Sequence, residues 1–427
     1  MRKIRSALLA ALIISLLPLS GYAAGLWLYE QAAPDMGLAA AGRAALAQDA
    51  STAATNPAGM TRLERNQLEG GFLGLLVKAE FDGDSSTFAG GDGGDAGDFV
   101  PIAGLSYVHS LSPDLKLGIG IGSYFGLGLD YGGSWAGRYY VQEGELVVMG
   151  INPGIGYRIN EWLSVGAGFS ILYGELTQEA AINNNPLGIG STPDGKLKFD
   201  ADDVGYGYNL GILLEPVVGT RFGLTYRSEV ELEFDDTVSA RNLSPALETI
   251  LDGTLGANRK VDMELTVPQA VMFSVYHQLN EQWAVMANLG WQEQSAFGQT
   301  NISLQADTST DLTADRNFHN TWHYALGTQY RFAPAWLLSV GVAYDESPVD
   351  NKDRTPDMPL DRQIRYATGL QYELNEDMTI GAAYTFIDTG SADIRQTAED
   401  NPLRGELIGD YKTNHLHAFN LNVVYRF

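Results

Sequence analysis

Hydrophobic residues alternate with small or polar residues along most of the chain after residue 65. Over residues 163–174 the odd positions are apolar, beginning with Leu163 and Val165, whereas the even positions are mostly glycine or serine. Residues 115–122 and 283–292 repeat the pattern. Successive side chains of a β-strand point to opposite faces. Each segment is therefore predicted to be a strand with one apolar face and one face of small or polar residues.

Short turn signals and long polar stretches separate these strands. Six short signals lie near residues 112–114, 160–162, 215–216, 280–282, 333–335 and 375–377. Seven stretches rich in glycine, aspartate and asparagine lie near residues 82–98, 126–140, 180–204, 235–259, 298–316, 347–360 and 388–410. Seven long loops and six short turns join fourteen strands. Short turns at one rim and long loops at the other are typical of a transmembrane antiparallel β-barrel, predicted here over residues 66–427.

A soluble β-sandwich or propeller also alternates, but it does not explain why one face carries so many large apolar residues. In hydrocarbon every backbone N–H and C=O group must be paired, and a closed barrel achieves this without an open edge. The last strand fits the same picture, since Phe419, Leu421 and Val423 alternate with Asn420 and Asn422. The terminal Phe427 resembles the C-terminal aromatic residue that the barrel assembly machinery reads in outer-membrane barrels.

The N-terminus has the layout of a secretory signal. Basic residues within positions 2–5 precede an apolar run over 7–19, and the small residues Gly21 and Ala23 follow. This pattern predicts a signal peptide over residues 1–23; a membrane anchor is the weaker alternative because the run is short. The predicted location is the bacterial outer membrane.

Composition excludes several classes of protein. Mean hydropathy is −0.10, and after residue 20 no stretch approaches the roughly 18 apolar residues of a spanning helix. The absence of cysteine excludes a disulfide framework and a thiolate nucleophile. With 52 acidic and 27 basic residues, a nucleic acid partner is not expected, because phosphates require a basic surface.

No metal or cofactor site is predicted. Gly90–Asp95 matches a single unit of a calcium-binding repeat, which one copy cannot build. His319 and His323 have the spacing of helical metal ligands, but on a strand they would lie about 13 Å apart. No nucleophile elbow or phosphate-binding loop is present, and the chain is predicted not to be an enzyme.

Residues 24–65 do not alternate, and they are predicted to form short helical turns that plug the barrel lumen or, alternatively, a periplasmic tail. Here the segments Ala24–Glu30, Ala45–Ala50 and Asn56–Ala58 resemble the hatch of the long-chain fatty acid outer-membrane transporters (the FadL/TodX type). Leu224–Val230 and Asp345–Val349 resemble later segments of that family in the same order.

The resemblance implies a fourteen-stranded barrel with an N-terminal hatch over residues 24–65. It also implies that hydrophobic small molecules pass through the barrel by diffusion. Outer-membrane lipid and lipopolysaccharide are the expected surroundings of the barrel. The hatch residues that it marks for ligand binding or gating are Leu26, Trp27, Asn56, Pro57 and Ala58.

The same resemblance implies lateral exit through a gap caused by a kink in the third strand. This kink matches Tyr124, Phe125, Gly126 and Leu127, where the alternation of residues 115–121 also ends. Glycine tolerates backbone angles that interrupt a ladder. An ordinary end-of-strand glycine is the alternative interpretation of Gly126.

An outer-loop helix is predicted after Ser244 and Pro245, which read as an N-cap and a first helical position, with Gly253 as the C-terminal cap. This helix either captures ligand at the cell surface or packs on the barrel rim. Its apolar residues at helical spacing are Leu243, Leu247, Ile250 and Leu251.

Long-chain fatty acids are the predicted cargo, and neutral hydrocarbons such as alkanes, aromatics or terpenoids are the alternative. The alternative arises because the resemblance implies basic residues for a carboxylate at the position of Ala180 and near Asn301, and neither of these residues is basic. A general porin or a barrel lipase is a more distant possibility.

Overall fold

Fourteen antiparallel strands form a closed barrel in the computed structural model of the chain. The structure describes Tyr29 and residues 33–184, 193–256, 258–304 and 310–427, and the predicted signal peptide lies outside them. The side chains of residues 125, 127, 254, 304 and 310–312 are also outside this description. Among the described residues, no helix is long and apolar enough to cross a membrane.

The strands and helices follow the alternating segments and the loops between them. In chain order the strands are β1 (Gln67–Ser86), β2 (Phe99–Ser110), β3 (Leu115–Asp130), β4 (Glu143–Asn160), β5 (Leu163–Ile182), β6 (Gly195–Val217), β7 (Thr220–Arg227), β8 (Val230–Thr237), β9 (Ser239–Arg241), β10 (Lys260–Val267), β11 (Ala270–Gln278), β12 (Trp283–Gln292), β13 (Gln299–Leu304), β14 (Thr310–Asp315), β15 (Thr321–Ala333), β16 (Trp336–Asp345), β17 (Gln363–Glu373), β18 (Met378–Asp388), β19 (Ile394–Gln396) and β20 (Leu407–Arg426). The helices are α1 (Thr52–Thr55), α2 (Pro245–Leu255) and α3 (Gln294–Phe297), with 3₁₀-helices at Pro34–Leu38 and Pro57–Arg62.

The barrel closes between its first and last strands. β1 pairs with β2 on one side and with β20 on the other, from Gln67 opposite Arg426 to Ser86 opposite Leu407. The barrel order is β1 to β7, then β11, β12, β15, β16, β17, β18 and β20. The predicted fold class and strand number are confirmed. The predicted turn at 215–216 is slightly misplaced, because β6 continues to Val217.

The outward face carries an apolar belt between two aromatic girdles. Near the short turns Trp283 stacks on Tyr330 with ring centroids 4.3 Å apart, and near the long loops Trp322 and Tyr344 are exposed. Between them Leu326 is 64% exposed, which in water would be unfavourable but suits hydrocarbon. Barrels of this kind have short turns on the periplasmic side and long loops on the outer side, and this rule orients the molecule.

A second sheet folds into the outer part of the lumen. Its order is β14-β13-β10-β8. Leu232 and Phe234 of β8 pack over Gly174 on the inward face of β5, and Met263 of β10 is fully buried in the same core. The sequence did not predict this sheet, because its strands alternate like the barrel strands that they precede or follow.

Close packing on the inward face of the barrel limits which of its glycines can be replaced. A Cβ at Gly341 of β16 would overlap the carbonyl group of Leu38, whereas a Cβ at Gly122 of β3 would meet no atom. We therefore expect Gly341→Ala to destabilise the folded state by about 1–3 kcal/mol and Gly122→Ala to leave it unchanged. The temperature at which the barrel loses its heat-modifiable mobility on a denaturing gel measures this difference. Equal temperatures for the two variants would contradict the packing.

Candidate transport pathway

The N-terminal residues 33–65, here called the inner segment, lie inside the periplasmic half of the barrel. Their backbone approaches glycines of the wall, which have no side chain on the inward face. A Cβ at Gly223 would overlap Ala44, and one at Gly166 would overlap Pro57 and Ala58. The small inward residues that alternate along the strands therefore leave the space that the inner segment fills.

Asn56 fastens the inner segment to itself and to the wall. Its side-chain amide donates to the carbonyl oxygen of Ala44 at 2.5 Å and to that of Ile212 in β6 at 3.1 Å. Its Oδ1 accepts from the Ala58 N–H at 3.1 Å and so caps the helix that begins at Pro57. Asn56 is 1% exposed, so these hydrogen bonds replace the water that its amide loses.

Polar side chains of the wall hold the rest of the inner segment. Asn288 Oδ1 accepts from the Gly42 N–H at 2.8 Å, and Ser274 Oγ accepts from the Ala44 N–H at 3.0 Å. Arg43 forms a buried ion pair with Asp35 at 3.0 Å within the segment. Burial raises the pKa of Asp35, and the Arg43 charge opposes that rise.

Tyr29, which precedes the inner segment, packs on a buried polar cluster. The Tyr29 ring stacks on His323 of β15 with centroids 4.3 Å apart. His323 Nδ1 lies 2.9 Å from Asp345 Oδ1, and Arg365 forms an ion pair with the same carboxylate. His323 therefore has a carboxylate partner on a strand, while His319 is exposed before β15. Within the described ranges no three metal-binding side chains converge.

β3 contains a β-bulge at Tyr124. Ser123 pairs with Met149 and Phe125 with Val148, so Tyr124 has no partner in the β3–β4 ladder. A bulge adds one residue to the strand, so beyond it the side chains that pointed outward at odd positions point inward. Accordingly Ile121 is 41% exposed before the bulge, whereas Leu129 is 3% exposed after it. An irregularity is present within the predicted segment Tyr124–Leu127. Its unpaired residue is Tyr124, while Gly126 is paired with Val147, and β3 continues to Asp130.

Tyr124 connects the bulge to the inner segment. Its ring is 1% exposed, and the guanidinium carbon of Arg227 lies 4.3 Å from the ring centroid. Arg227 Nη2 in turn donates to the Ala54 carbonyl at 3.2 Å, and Asn152 donates to the Tyr124 hydroxyl. Arg227 lies within the segment Leu224–Val230, and no role was predicted for it from the sequence.

The wall opens beside the bulge. β2 pairs with β3 only from Leu105 opposite Ile121 to Ser110 opposite Lys116, and in the described structure Phe99–Gly104 pair with β1 alone. A cavity of about 120 Å³ occupies this gap. Its lining combines an inward residue of β1, residues from both faces of β2 and outward residues of β3 and β4. It includes Leu75, Ile102, Ser123, Gly126, Gly128 and Met149.

A signal for this gap was present in the sequence. Pro101 lies within β2 and lines the cavity. Proline has no N–H to donate, so it favours a strand edge that has no partner. The strand pattern alone indicates β2 but not which of its two edges is open.

The predicted residues fall into three groups in the structure. Asn56, Pro57 and Ala58 lie together against the wall, and Tyr124 and Gly126 lie at the bulge and the gap. Leu26 and Trp27 lie outside the described residues, as do the side chains of Phe125 and Leu127. Their roles in binding or gating stay predictions.

The predicted outer-loop residues lie on and beside α2. Ser244 caps the helix at the Leu247 N–H, as predicted, but the helix continues to Leu255 and ends at Gly256, whose φ is 76°, so the cap at Gly253 is wrong. Leu243, Leu247 and Ile250 are half-buried, and Leu251 is 3% exposed. These side chains pack on the core formed with the inner sheet.

An apolar outer belt, a folded inner segment and a gap in the wall together define an outer-membrane barrel of the transporter class. The family model described as outer membrane protein transport protein (OMPP1/FadL/TodX) matches residues 14–427. The chain belongs to this family of outer-membrane transport proteins.

Similar proteins extend over nearly the whole chain. The long-chain fatty acid transport protein of Escherichia coli O6:H1 is 29% identical over 403 residues, which cover 88% of this chain and 89% of that protein. Outer membrane protein P1 of Haemophilus influenzae is 25% identical over all of both chains. The crystal structure of a Pseudomonas aeruginosa FadL homologue has a TM-score of 0.85 at 19% identity, covering 95% of this chain and 100% of that one. The Pseudomonas putida toluene transporter TodX has a TM-score of 0.68 at 18% identity, with coverage of 95% and 100%.

Replacement of Asn56 tests whether its hydrogen bonds hold the inner segment in place. Asn56→Ala removes the bonds to Ala44, Ile212 and Ala58 and should destabilise the packed inner segment by about 1–3 kcal/mol. Asn56→Asp keeps an acceptor for the Ala58 N–H but leaves the two carbonyl groups without a donor, so it should also destabilise. Hydrogen exchange of residues 33–65 measures the loss. Thr55→Ala, which removes one bond of 3.4 Å to Ser51, is the control; exchange as slow in Asn56→Ala as in this control would contradict the role of Asn56.

Proposed function

We propose that the protein carries apolar small molecules inward across the outer membrane by passive diffusion, with long-chain fatty acids as its main cargo. The observation that supports this most directly is the cavity in the wall between β2 and β3, which lies beside an inner segment packed into the periplasmic half of the lumen. The name of the E. coli relative supports the choice of cargo.

The proposed route runs from the outer rim into the lumen and then sideways through the gap. An apolar solute gains free energy only from apolar surroundings, so a water-filled pore offers it no advantage. The gap is lined by Leu75, Ile102 and Met149, which match such a solute. Residues 24–65 act as the hatch in this proposal, and α2 contributes the surface that first contacts the cargo.

No catalytic role is part of the proposal, since the relatives are transporters rather than enzymes. The partners are outer-membrane lipid and lipopolysaccharide around the apolar belt, and the barrel assembly machinery during insertion. The signal peptide directs export to the compartment where that machinery acts.

Neutral hydrocarbons are the second candidate cargo. Ala180 and Asn301 stand where the family resemblance implies basic residues. Ala180 is 1% exposed in β5, and Asn301 in β13 accepts a hydrogen bond from Thr313 at 2.9 Å. Neither side chain carries a positive charge that could pair with a carboxylate. An uncharged cargo does not require such a charge.

An uptake assay tests the proposed function. In a host without its own fatty acid transporter, expression of the protein should raise uptake of labelled oleate above the level of the empty vector. Uptake of labelled toluene in place of oleate would favour the hydrocarbon alternative. Steady large currents through a planar bilayer would instead identify a general porin and would contradict the proposal.

A reversible cross-link tests the route. Continuing the β2–β3 register beyond Leu105 and Ile121 would bring Ala103 opposite Ser123, and both line the cavity. Because the chain has no cysteine, the variant Ala103→Cys with Ser123→Cys carries only the new pair. Oxidation should close the gap and lower oleate uptake to the empty-vector level, and reduction should restore it.

The matched control places the pair inside the existing ladder, at Leu105→Cys with Ile121→Cys. Its oxidation leaves the gap open and should not change uptake. Full uptake through the oxidised Ala103–Ser123 pair, with disulfide formation verified by mass spectrometry, would refute lateral exit while leaving the transport function intact.

A further inference from the structure

A polar cavity of about 460 Å³ lies at the periplasmic end of the lumen, bounded by the inner segment and the wall. Five arginines line it, together with three carboxylates, in a chain whose net charge is −25. The arginines are Arg62, Arg65, Arg221, Arg331 and Arg426. The cavity is therefore locally basic in an acidic protein.

Four of the five arginines are engaged by the protein. Arg62 forms an ion pair with Glu215, Arg65 with Asp377 at 2.6 Å, Arg331 with Glu373 at 2.9 Å, and Arg426 donates to Thr379 at 2.9 Å. These contacts satisfy at least part of the hydrogen-bonding capacity of each guanidinium group and hold the group at the wall.

Arg221 is different. It is 6% exposed, and among the described residues its Nε and Nη2 make no hydrogen bond and no carboxylate pairs with it. Its guanidinium carbon lies 3.6 Å from the ring centroid of Tyr276, which stacks on one face of the group. A buried charge that no carboxylate neutralises is costly, and the stack on Tyr276 fixes the plane in which an anion must lie.

We propose that Arg221 is the anchor of an oxyanion site that opens to the periplasm and takes a carboxylate or a phosphate group. Nε and Nη2 form one edge of the planar guanidinium, and that edge matches two oxygen atoms of such a group through two parallel hydrogen bonds. The stacked Tyr276 orients the edge, and the engaged Arg62 adds positive charge beside it.

The site is distinct from the proposed route. Its lining shares no residue with the cavity between β2 and β3. A failure of lateral exit in the cross-linking experiment therefore leaves this site unaffected, and a failure of anion binding leaves the route unaffected. A carboxylate ligand could belong to an amphiphile or to a small periplasmic acid. A phosphate ligand could be inorganic phosphate or a phosphate group of a larger molecule.

Calorimetric titration of the purified full-length barrel tests the proposal. The probes are octanoate, acetate, inorganic phosphate and octan-1-ol, each at low ionic strength. We expect saturable binding of at least one of the three anions and none of octan-1-ol. Binding of octanoate alone identifies an amphiphile, binding of acetate as well identifies any carboxylate, and binding of phosphate alone identifies the phosphate source.

Arg221→Gln should weaken the binding by about tenfold or more, because it removes a charge-assisted pair of hydrogen bonds. The control is Arg395→Gln in β19, whose exposed side chain pairs with Asp393 at 3.8 Å and does not line the cavity. This variant should bind as the wild type does. Arg221→Lys keeps the charge and loses the planar edge, so its affinity should fall between those of the wild type and Arg221→Gln.

Heat-modifiable mobility on a gel verifies that each variant has folded. If Arg221→Gln does not fold, Arg221→Lys decides the question by its affinity. Absence of binding by the wild type, binding of octan-1-ol equal to that of octanoate, or wild-type affinity in the folded Arg221 variant would each overturn the proposal.

Discussion

Pairing of backbone hydrogen-bonding groups in hydrocarbon is the constraint on which this structure depends. No water is available in the bilayer core, so an open strand edge there is unfavourable and the sheet must close on itself. The seam between β1 and β20 meets that requirement from Gln67 to Ser86. Once the wall is closed, an interruption is tolerated only where protein groups surround it. The β3 bulge satisfies this condition, because Tyr124 is buried among Arg227, Asn152 and Gly150.

Glycines on the inward face of the wall leave the space that the inner segment occupies. Gly166, Gly223 and Gly341 let two backbones approach more closely than any Cβ would permit. Close approach brings carbonyl and N–H groups of the segment within reach of Asn288 and Ser274, so shape and hydrogen bonding act together. Arg227 extends this contact to the bulge. The inner segment and the gap are thus parts of one connected structure rather than separate features.

Much of the fold could be predicted because its signals are local. Alternation over residues 163–174 depends only on strand geometry, and the six short turns have their own residue signatures. The inner sheet could not be predicted, since Val230–Thr237 alternates whether it continues the wall or folds into the lumen. The kink was predicted over Tyr124–Leu127, but its unpaired residue could not be identified, because a bulge is a property of pairing between strands. Arg221 was missed for a similar reason: only the folded structure shows that, among the described residues, its Nε and Nη2 have no hydrogen-bond acceptor.

The bulge has a consequence for the thickness of the wall. Beyond Tyr124 the outward positions of β3 pass to Gly126 and Gly128, whereas before it they belong to Leu117 and Ile121. Where leucine and isoleucine stand, a lipid chain is held one side chain away from the backbone. Where the two glycines stand, the lipid chain touches the backbone itself. A molecule inside the gap would therefore lie within little more than a van der Waals contact of the acyl chains of the membrane, so the proposed lateral exit needs no hydrated step.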